Sequence, residues 1–236
     1  MAGFTPAMLC AWTNQSHTIG LASELGQNPG SARPSRDFQL RKPHRHLGLG
    51  LINPAVLLAI GIWDQNSDML IDDFSDQNLI SKLGTRWRGV SDKVMGGVSE
   101  AAIAHAVIGS HPCLHLTGDV RLENDGGFIQ ATLDLAHSGH TFDASEFTGV
   151  RLIVRGNGEQ YSLHFRTPDN VRPWQSYRAQ FHAGPDWEAA DITFSAFAPH
   201  RLDAPLDITQ LRRIGLVAIG RAFYADLAVS ELGFYR

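Results

Sequence analysis

From residue 69 onward, apolar residues fall in short alternating runs and not at helical spacing. Leu152 and Val154, then Tyr161, Leu163 and Phe165, alternate with polar neighbours. A period of two marks strands that bury one face. Tyr177, Ala179 and Phe181 alternate in the same way with Ser176, Arg178 and Gln180. The pattern predicts strands at 69–74, 86–91, 99–107, 113–118, 127–134, 150–155, 161–167, 175–181, 188–194, 214–218 and 224–235. Many short strands separated by turn signals predict an all-β sandwich or barrel. Gly156-Asn157-Gly158 separates two of them, and Asn-Gly supplies the positive φ of a tight hairpin. Short helices are expected at 76–82 and 207–212, the second with Asp207 as N-cap and Gln210 at the capping-box position. The absence of crossover helices in the pattern disfavours a doubly wound α/β fold.

Residues 1–68 read differently. Asn14 to Pro43 is polar, carries Pro, Gly and Ser, and holds no sustained period. Such a stretch buries too little apolar surface to offset its chain entropy. A basic cluster (Arg41, Lys42, His44, Arg45, His46) precedes an apolar run from Leu47 to Trp63, broken by Asn53-Pro54. The run is short for a membrane-spanning helix. Its local order matches an export signal, but such a signal belongs near the first methionine. Glu24 and Asp37, with no arginine-rich amphipathic stretch, argue against a mitochondrial transit peptide. The expected organisation is a low-order extension over 1–68 and one β domain over 69–236.

Composition narrows function mainly by exclusion. The 236 residues are 19% charged with a net charge of −4, so no basic excess points to nucleic acid. Residues 1–68 hold five of the 20 Lys and Arg and four of the 24 Asp and Glu, which leaves the domain 15 against 20, or −5. The two cysteines, Cys10 and Cys113, make neither a disulfide framework nor a four-cysteine zinc site. A soluble, turn-rich, cytoplasmic protein is expected.

Two glycine-rich blocks carry the densest signal. One runs Trp87-Arg88-Gly89-Val90-Ser91-Asp92-Lys93-Val94-Met95-Gly96-Gly97-Val98-Ser99, the other Leu116-Thr117-Gly118-Asp119-Val120-Arg121-Leu122-Glu123-Asn124-Asp125-Gly126-Gly127-Phe128. Paired glycines open backbone conformations closed to other residues and let a second segment approach closely. The plain reading is two turns between strands. The functional reading is that both loops, with Asp92, Glu123, Asn124 and Asp125, line a common surface.

These blocks, in this order, resemble the complex I intermediate-associated protein 30 family. The likeness continues through Phe142-Asp143, Phe147-Thr148-Gly149-Val150, Val154-Arg155-Gly156-Asn157-Gly158, Ser176-Tyr177-Arg178-Ala179, and Trp187 with Ile192-Thr193-Phe194 and Phe197-Ala198-Pro199, covering roughly 71–236. Leu116, Asn157 and Thr193 stand where the family more often has Phe, Asp and Pro. The resemblance implies a galactose-binding-like jelly-roll β-sandwich. It also implies a non-catalytic assembly chaperone that binds protein partners such as respiratory complex I intermediates. The alternative kept beside it is a carbohydrate- or small-ligand-binding module. The expected binding residues are Trp87, Asp92, Met95, Gly96, Gly97, Ser99, Glu123, Asn124, Gly126, Gly127, Phe128 and Trp174. No cofactor, metal, nucleic acid or stable membrane insertion is expected.

Other chemistry is weaker. His111-x-Cys113-x-His115 would share one strand face and could hold zinc given a fourth ligand. Asp72, Asp73 and Asp76 offer oxygen ligands for calcium. No nucleophile elbow, His-Glu-x-x-His or phosphate loop is present. Asp119, Glu123 and Asp125 are acids of the kind glycosidases pair, though loop acids are more often turn residues. Trp174, Tyr177, Phe181 and Trp187, interleaved with Arg172 and Arg178, form an aromatic stretch. Tyr177 and Phe181 are expected in the core, and Trp174, in a turn after Pro173, at the surface.

The break in pattern predicts that translation starts at Met69 in the native host. Intact mass of the native protein checks this, and a mature mass that includes residues 1–40 overturns it.

Overall fold

The alternation along the chain resolves into twelve strands in a computed structural model, which describes Trp63 and residues 67–236. The expected extension, with its basic cluster and most of its apolar run, lies outside the described residues. The strands are β1 (Met69–Asp72), β2 (Arg88–Ser91), β3 (Ala102–Ile108), β4 (His111–Val120), β5 (Phe128–Asp134), β6 (Gly149–Gly156), β7 (Glu159–Arg166), β8 (Ser176–Ala183), β9 (Glu188–Thr193), β10 (Ala198–His200), β11 (Arg213–Ile219) and β12 (Phe223–Tyr235). They form two antiparallel sheets. One has the order β3-β4-β12-β6-β9, with β1 also paired to β12, and the other β10-β8-β7-β11-β5-β2. The fold is a jelly-roll β-sandwich.

The core lies between the sheets and follows the period-two pattern. Ile129, Ala131 and Leu133 of β5, Ile214, Leu216 and Ala218 of β11, and Tyr161, Leu163 and Phe165 of β7 are all buried in it. Leu114 and Leu116 of β4 and Leu227, Val229 and Leu232 of β12 belong to the same core. Phe234 gathers Phe142, Phe147, Phe165 and Phe194 around one end, with ring centroids 5.3–6.4 Å apart. Burying aliphatic and aromatic side chains of this kind contributes roughly 1.5–3 kcal/mol each. Tyr177 and Phe181 are core residues, as the alternation predicts.

β12 ties the first sheet together. Its first half pairs with β4, its last residues pair with β1, and β6 runs along its other side. A register shift between Val229 and Glu231 lets the long strand keep both neighbours. Residues before Met69 also touch this sheet. The Trp63 indole donates to Glu231, and the Asp68 carboxylate accepts from the Arg236 N–H at 3.1 Å.

Three local expectations are corrected. Gly156-Asn157-Gly158 does not close a hairpin: β6 pairs with β12 and β9, whereas β7 pairs with β8 and β11. The turn is a corner that carries the chain from one sheet to the other, with Gly158 at φ +80°. The Asn157 amide donates to the Tyr224 carbonyl at 2.8 Å, and its oxygen accepts from the Tyr161 hydroxyl at 2.7 Å. Residues 76–82 form turns and not a helix. Asp76 accepts from the Asn78 N–H at 2.7 Å, and Leu79 takes φ +58°, which ends any helical path. The expected helix at 207–212 shrinks to a single 3₁₀ turn, Ile208–Gln210, with Asp207 capping the Thr209 N–H at 2.9 Å. β10 has no counterpart in the predicted strands: three residues containing Pro199 leave too short a period to read.

The corner rests on Tyr161. Burial pushes its phenol up to about 12, and its oxygen accepts from the Asp226 N–H at 3.0 Å while donating to Asn157. Tyr161→Phe takes the acceptor from the partly buried Asp226 N–H and breaks the link to the Asn157 amide at the corner. It is expected to cost about 1–3 kcal/mol in urea unfolding with an unchanged slope. An unaltered midpoint would show that the corner does not depend on this phenol.

Candidate functional site

The first glycine block folds around its own aspartate. Ser91 caps a 3₁₀ turn, Asp92–Met95, accepting from the Lys93 N–H at 3.4 Å. Gly96 closes the turn at φ +90°, in the left-handed region that favours glycine. The chain then doubles back, and the Asp92 carboxylate accepts from both the N–H (2.9 Å) and the hydroxyl of Ser99.

The second block comes to the same carboxylate. Asp92 Oδ2 accepts from the Gly127 N–H at 2.6 Å and from the Phe128 N–H at 3.4 Å. A Cβ at either Gly97 or Gly126 would overlap the Asp92 side chain, so both glycines are needed for the fit. Ser99 Oγ also accepts from the Arg121 N–H at 2.9 Å, and the Asn124 amide donates to the Gly96 carbonyl at 3.2 Å. The two loops therefore lie side by side, joined through one buried carboxylate. Burial raises the pKa of Asp92, but the hydrogen bonds from Ser99, Gly127 and Phe128 outweigh it and hold it below the ordinary carboxylate value.

The joined loops form one wall of a cleft of about 420 Å³ on the face of the second sheet that points away from the core. Val94, Met95, Gly126 and Phe128 are on this wall. The floor comes from the outward positions of the strands: Gln130 and Thr132 of β5, His164 and Arg166 of β7, Arg178 of β8 and Val217 of β11. The far wall includes Pro173, Trp174, His200 and Arg201. Arg166 holds that wall in place, its guanidinium donating to the carbonyls of Asn170 (3.2 Å), Arg172 (2.9 Å) and Pro173 (3.2 Å). Gln175 adds a bond to the Arg201 carbonyl at 3.0 Å. Burial, then the nearby Arg178 and His200, push His164 down to about 3, so its ring is neutral at physiological pH.

The structure distributes the expected site residues over three environments. Met95 (47% exposed) and Trp174 (45%) present side chains to the cleft, and Gly126, Gly127 and Phe128 line it. Asp92 and Ser99 are buried behind it as the junction, with Gly96 and Gly97 shaping their turn. Glu123 and Asn124 are exposed, and Glu123 pairs with Arg121 at 2.6 Å. Trp87, expected among the binding residues, is only 2% exposed, because its indole packs on Phe74 and donates to Asp72 at 2.8 Å.

The strand-floor residues His164, Arg166 and Arg213, and Arg201 beyond them, were not among the expected site residues. His164, Arg166 and Arg213 occupy or adjoin outward positions of strands read from the alternation, whereas Arg201 follows β10, which the pattern did not show. The candidate metal positions are otherwise engaged. His111 packs on Trp187 with ring centroids 4.9 Å apart, Cys113 is buried, and His115 bonds Asp226 at 2.7 Å. Asp72 and Asp73 accept from the N–H groups of Phe74 (2.8 Å) and Ser75 (3.1 Å). Among the described residues, no group of three or more His, Cys, Asp or Glu side chains is placed to hold a metal ion. No described helix is long and apolar enough to cross a membrane.

Comparison with known proteins adds two findings. The family model described as complex I intermediate-associated protein 30 matches residues 73–228, which include both glycine blocks. No curated protein matches the chain. Among solved structures, the family 11 carbohydrate-binding module of the cellulosomal cellulase Lic26A-Cel5E of Clostridium thermocellum is similar at a TM-score of 0.54. It shares 13% identity, over 71% of this chain and 94% of that one. The Clostridium thermocellum family 11 module in complex with a β-1,3-1,4-mixed-linked tetrasaccharide is similar at the same score and identity, over 72% and 95%. A family 30 carbohydrate-binding module reaches 0.51 at 14% identity, over 71% and 87%. At these identities the likeness is one of fold.

Asp92→Asn sets an amide N–H₂ among donors, and is expected to cost about 2–4 kcal/mol in urea unfolding. Gly97→Ala is expected to destabilise in the same direction. The lowered pKa fixes the sign with pH. The Asp92 contribution is complete above the unfolded carboxylate value, about 4, and is lost as pH falls through the lower folded value. The variant should lack that part of the acid dependence. Equal midpoints for wild type and Asp92→Asn would refute the junction.

Proposed function

The chain belongs to the complex I intermediate-associated protein 30 family, and from that membership we propose that it is a non-catalytic binding domain serving assembly of a respiratory complex. The observation that carries this reading is the family match across both glycine blocks, in a chain where those blocks build one wall of an open cleft. The rim favours protein contact. Met95, Val94 (72% exposed) and Trp174 stand at its edges, with arginines between. Trp, Met and Arg are the side chains enriched where protein surfaces meet, and Trp and Arg dominate their energetics.

A second reading is a carbohydrate-binding module, favoured by the likeness of fold to such modules, one of them in complex with a tetrasaccharide. The cleft is of ligand-binding size. Trp174 would supply a stacking ring, and Gln130 and Gln175 would supply amides.

Capture of the full chain from its native host, followed by mass spectrometry, separates the readings. Recovery of complex I subunits with wild type, and their loss with Trp174→Ala combined with Met95→Asp, is the expected result. Normal complex I in a deletion strain, with no subunit recovered, overturns the assembly reading. Glycan-array binding abolished by Trp174→Ala would move the assignment to the second.

A further inference from the structure

The cleft has a chemistry that neither the family nor the fold specifies. Its described lining includes four arginines (Arg166, Arg178, Arg201, Arg213) and two histidines (His164, His200), and no Asp or Glu. This stands out in a domain whose sequence over 69–236 carries a net −5. The acids of the domain lie elsewhere. Asp134 accepts from Arg213 Nε at 2.7 Å and from Arg88 at the end of the floor, and Asp92 lies buried behind one wall, its oxygens taken up by Ser99, Gly127 and Phe128.

Two of the arginines keep their charge available. Arg178 Nε donates to Ser176 Oγ at 2.8 Å, and no ion pair joins Arg178 or Arg201 to a carboxylate among the described residues. Repulsion between these two guanidinium groups lowers the pKa of Arg178 further below its ordinary value, after burial. An anion between them would offset that repulsion. His164 adds to this. Its ring is nine-tenths buried on the floor, and its Nε2 has no hydrogen-bond partner. Buried polar atoms are seldom left unpaired without a ligand or a function to account for them.

We propose that this cleft binds an acidic segment of a protein partner, whose carboxylates seat on Arg178 and Arg201 while apolar neighbours lie on Trp174 and Met95. The inference rests on the protein-binding reading above and names the chemistry of the segment. Guanidinium forks match carboxylates in a bidentate geometry. The exposed apolar rim distinguishes an acidic peptide from a highly charged glycan: Val94, Met95 and Trp174 are three of the eight large apolar side chains exposed among the described residues, and all three border this cleft. A polyanionic sugar gives an exposed valine and methionine nothing apolar to meet.

The test is selection of a random peptide display library on the immobilised full chain, with heparin as a second probe. The selected pool is expected to be enriched in Asp and Glu beside aromatic or aliphatic residues. A synthetic peptide of the selected consensus should bind wild type, lose about tenfold or more in affinity when its Glu and Asp become Gln and Asn, and weaken with added salt. The Arg178→Glu, Arg201→Glu double variant should lose the consensus peptide to a similar degree, while Arg178→Lys with Arg201→Lys keeps part of it. Should the double Glu variant fail to fold, the Gln and Asn peptide on wild type still decides. A pool without acidic enrichment, neutral peptides that bind as well, or heparin binding through Arg178 with no peptide selected would each overturn the proposal. The outcome separates from the assembly reading. Complex I subunits recovered equally with the double Glu variant leave that reading standing and remove this one. Acidic peptides held by Arg178 and Arg201, with no complex I subunit recovered, do the reverse.

Discussion

One buried carboxylate organises the working face of this domain. Asp92 lies in a turn of three to four residues that has little stability of its own. It is held because it accepts hydrogen bonds from its own loop at Ser99 and from a loop some 35 positions away at Gly127 and Phe128. A charged acceptor with several N–H and O–H donors is among the stronger arrangements available in a protein interior, and among the costliest to leave half made. The glycines around it follow from this. Gly97 and Gly126 let two backbones close on the carboxylate, and Gly96 reverses the chain. Remove the carboxylate and the loops keep only the weaker links from Ser99 to Arg121 and from Asn124 to Gly96. The wall carrying Val94, Met95 and Phe128 then loses its support.

The second constraint is the alternation of the strands. A sandwich uses one face of each sheet for its core, so the other face of the second sheet is left with the alternate set of side chains. Here that set is polar yet buried in part: Thr132, Ser162, His164 and Ser176 are each 9% exposed or less. Polar side chains turned away from a core and still shielded from water mean that loops rise over them. The Asp92 junction builds one such loop wall, and Arg166, by gripping the carbonyls of 170–173, builds the other. A flat sheet face thereby becomes a cleft.

Much of this was legible in the sequence, and what was not has physical causes. Eleven of the twelve strands show in the apolar alternation, because packing against a core imposes a period that local turns cannot disguise. The two glycine blocks announced a close approach, since paired glycines beside an aspartate serve few other ends. The role of Trp87 was not legible. An aromatic next to a motif reads equally as a ligand contact or as core, and only its distance from Asp72 settles it. The sheet-crossing corner at Gly156–Gly158 was misread for a related reason: Asn-Gly fixes the backbone of a turn but not which sheet the next strand joins. The arginines of the cleft come from β7, β8, β11 and the segment after β10. Sequence spacing carries no information on how such distant positions meet.

That dispersion bears on how the site acts. Guanidinium groups drawn from separate elements repel one another here, Arg178 with Arg201 and Arg166 with Arg213, and among the described residues only Arg213 of these has a carboxylate beside it, Asp134. Clefts lined by one sign of charge concentrate field lines and raise the local population of counter-charged groups. The domain carries a net −5 over residues 69–236, so the cationic lining of the cleft runs against its overall charge. Association through such a face is oriented before it is tight. Tightness then has to come from the apolar rim, where Trp174 and Met95 stand opposite each other across the charged floor. The two walls are fixed independently, one by Asp92 and one by Arg166. A partner therefore meets a trough already shaped for it, and little of its binding energy goes to ordering the loops.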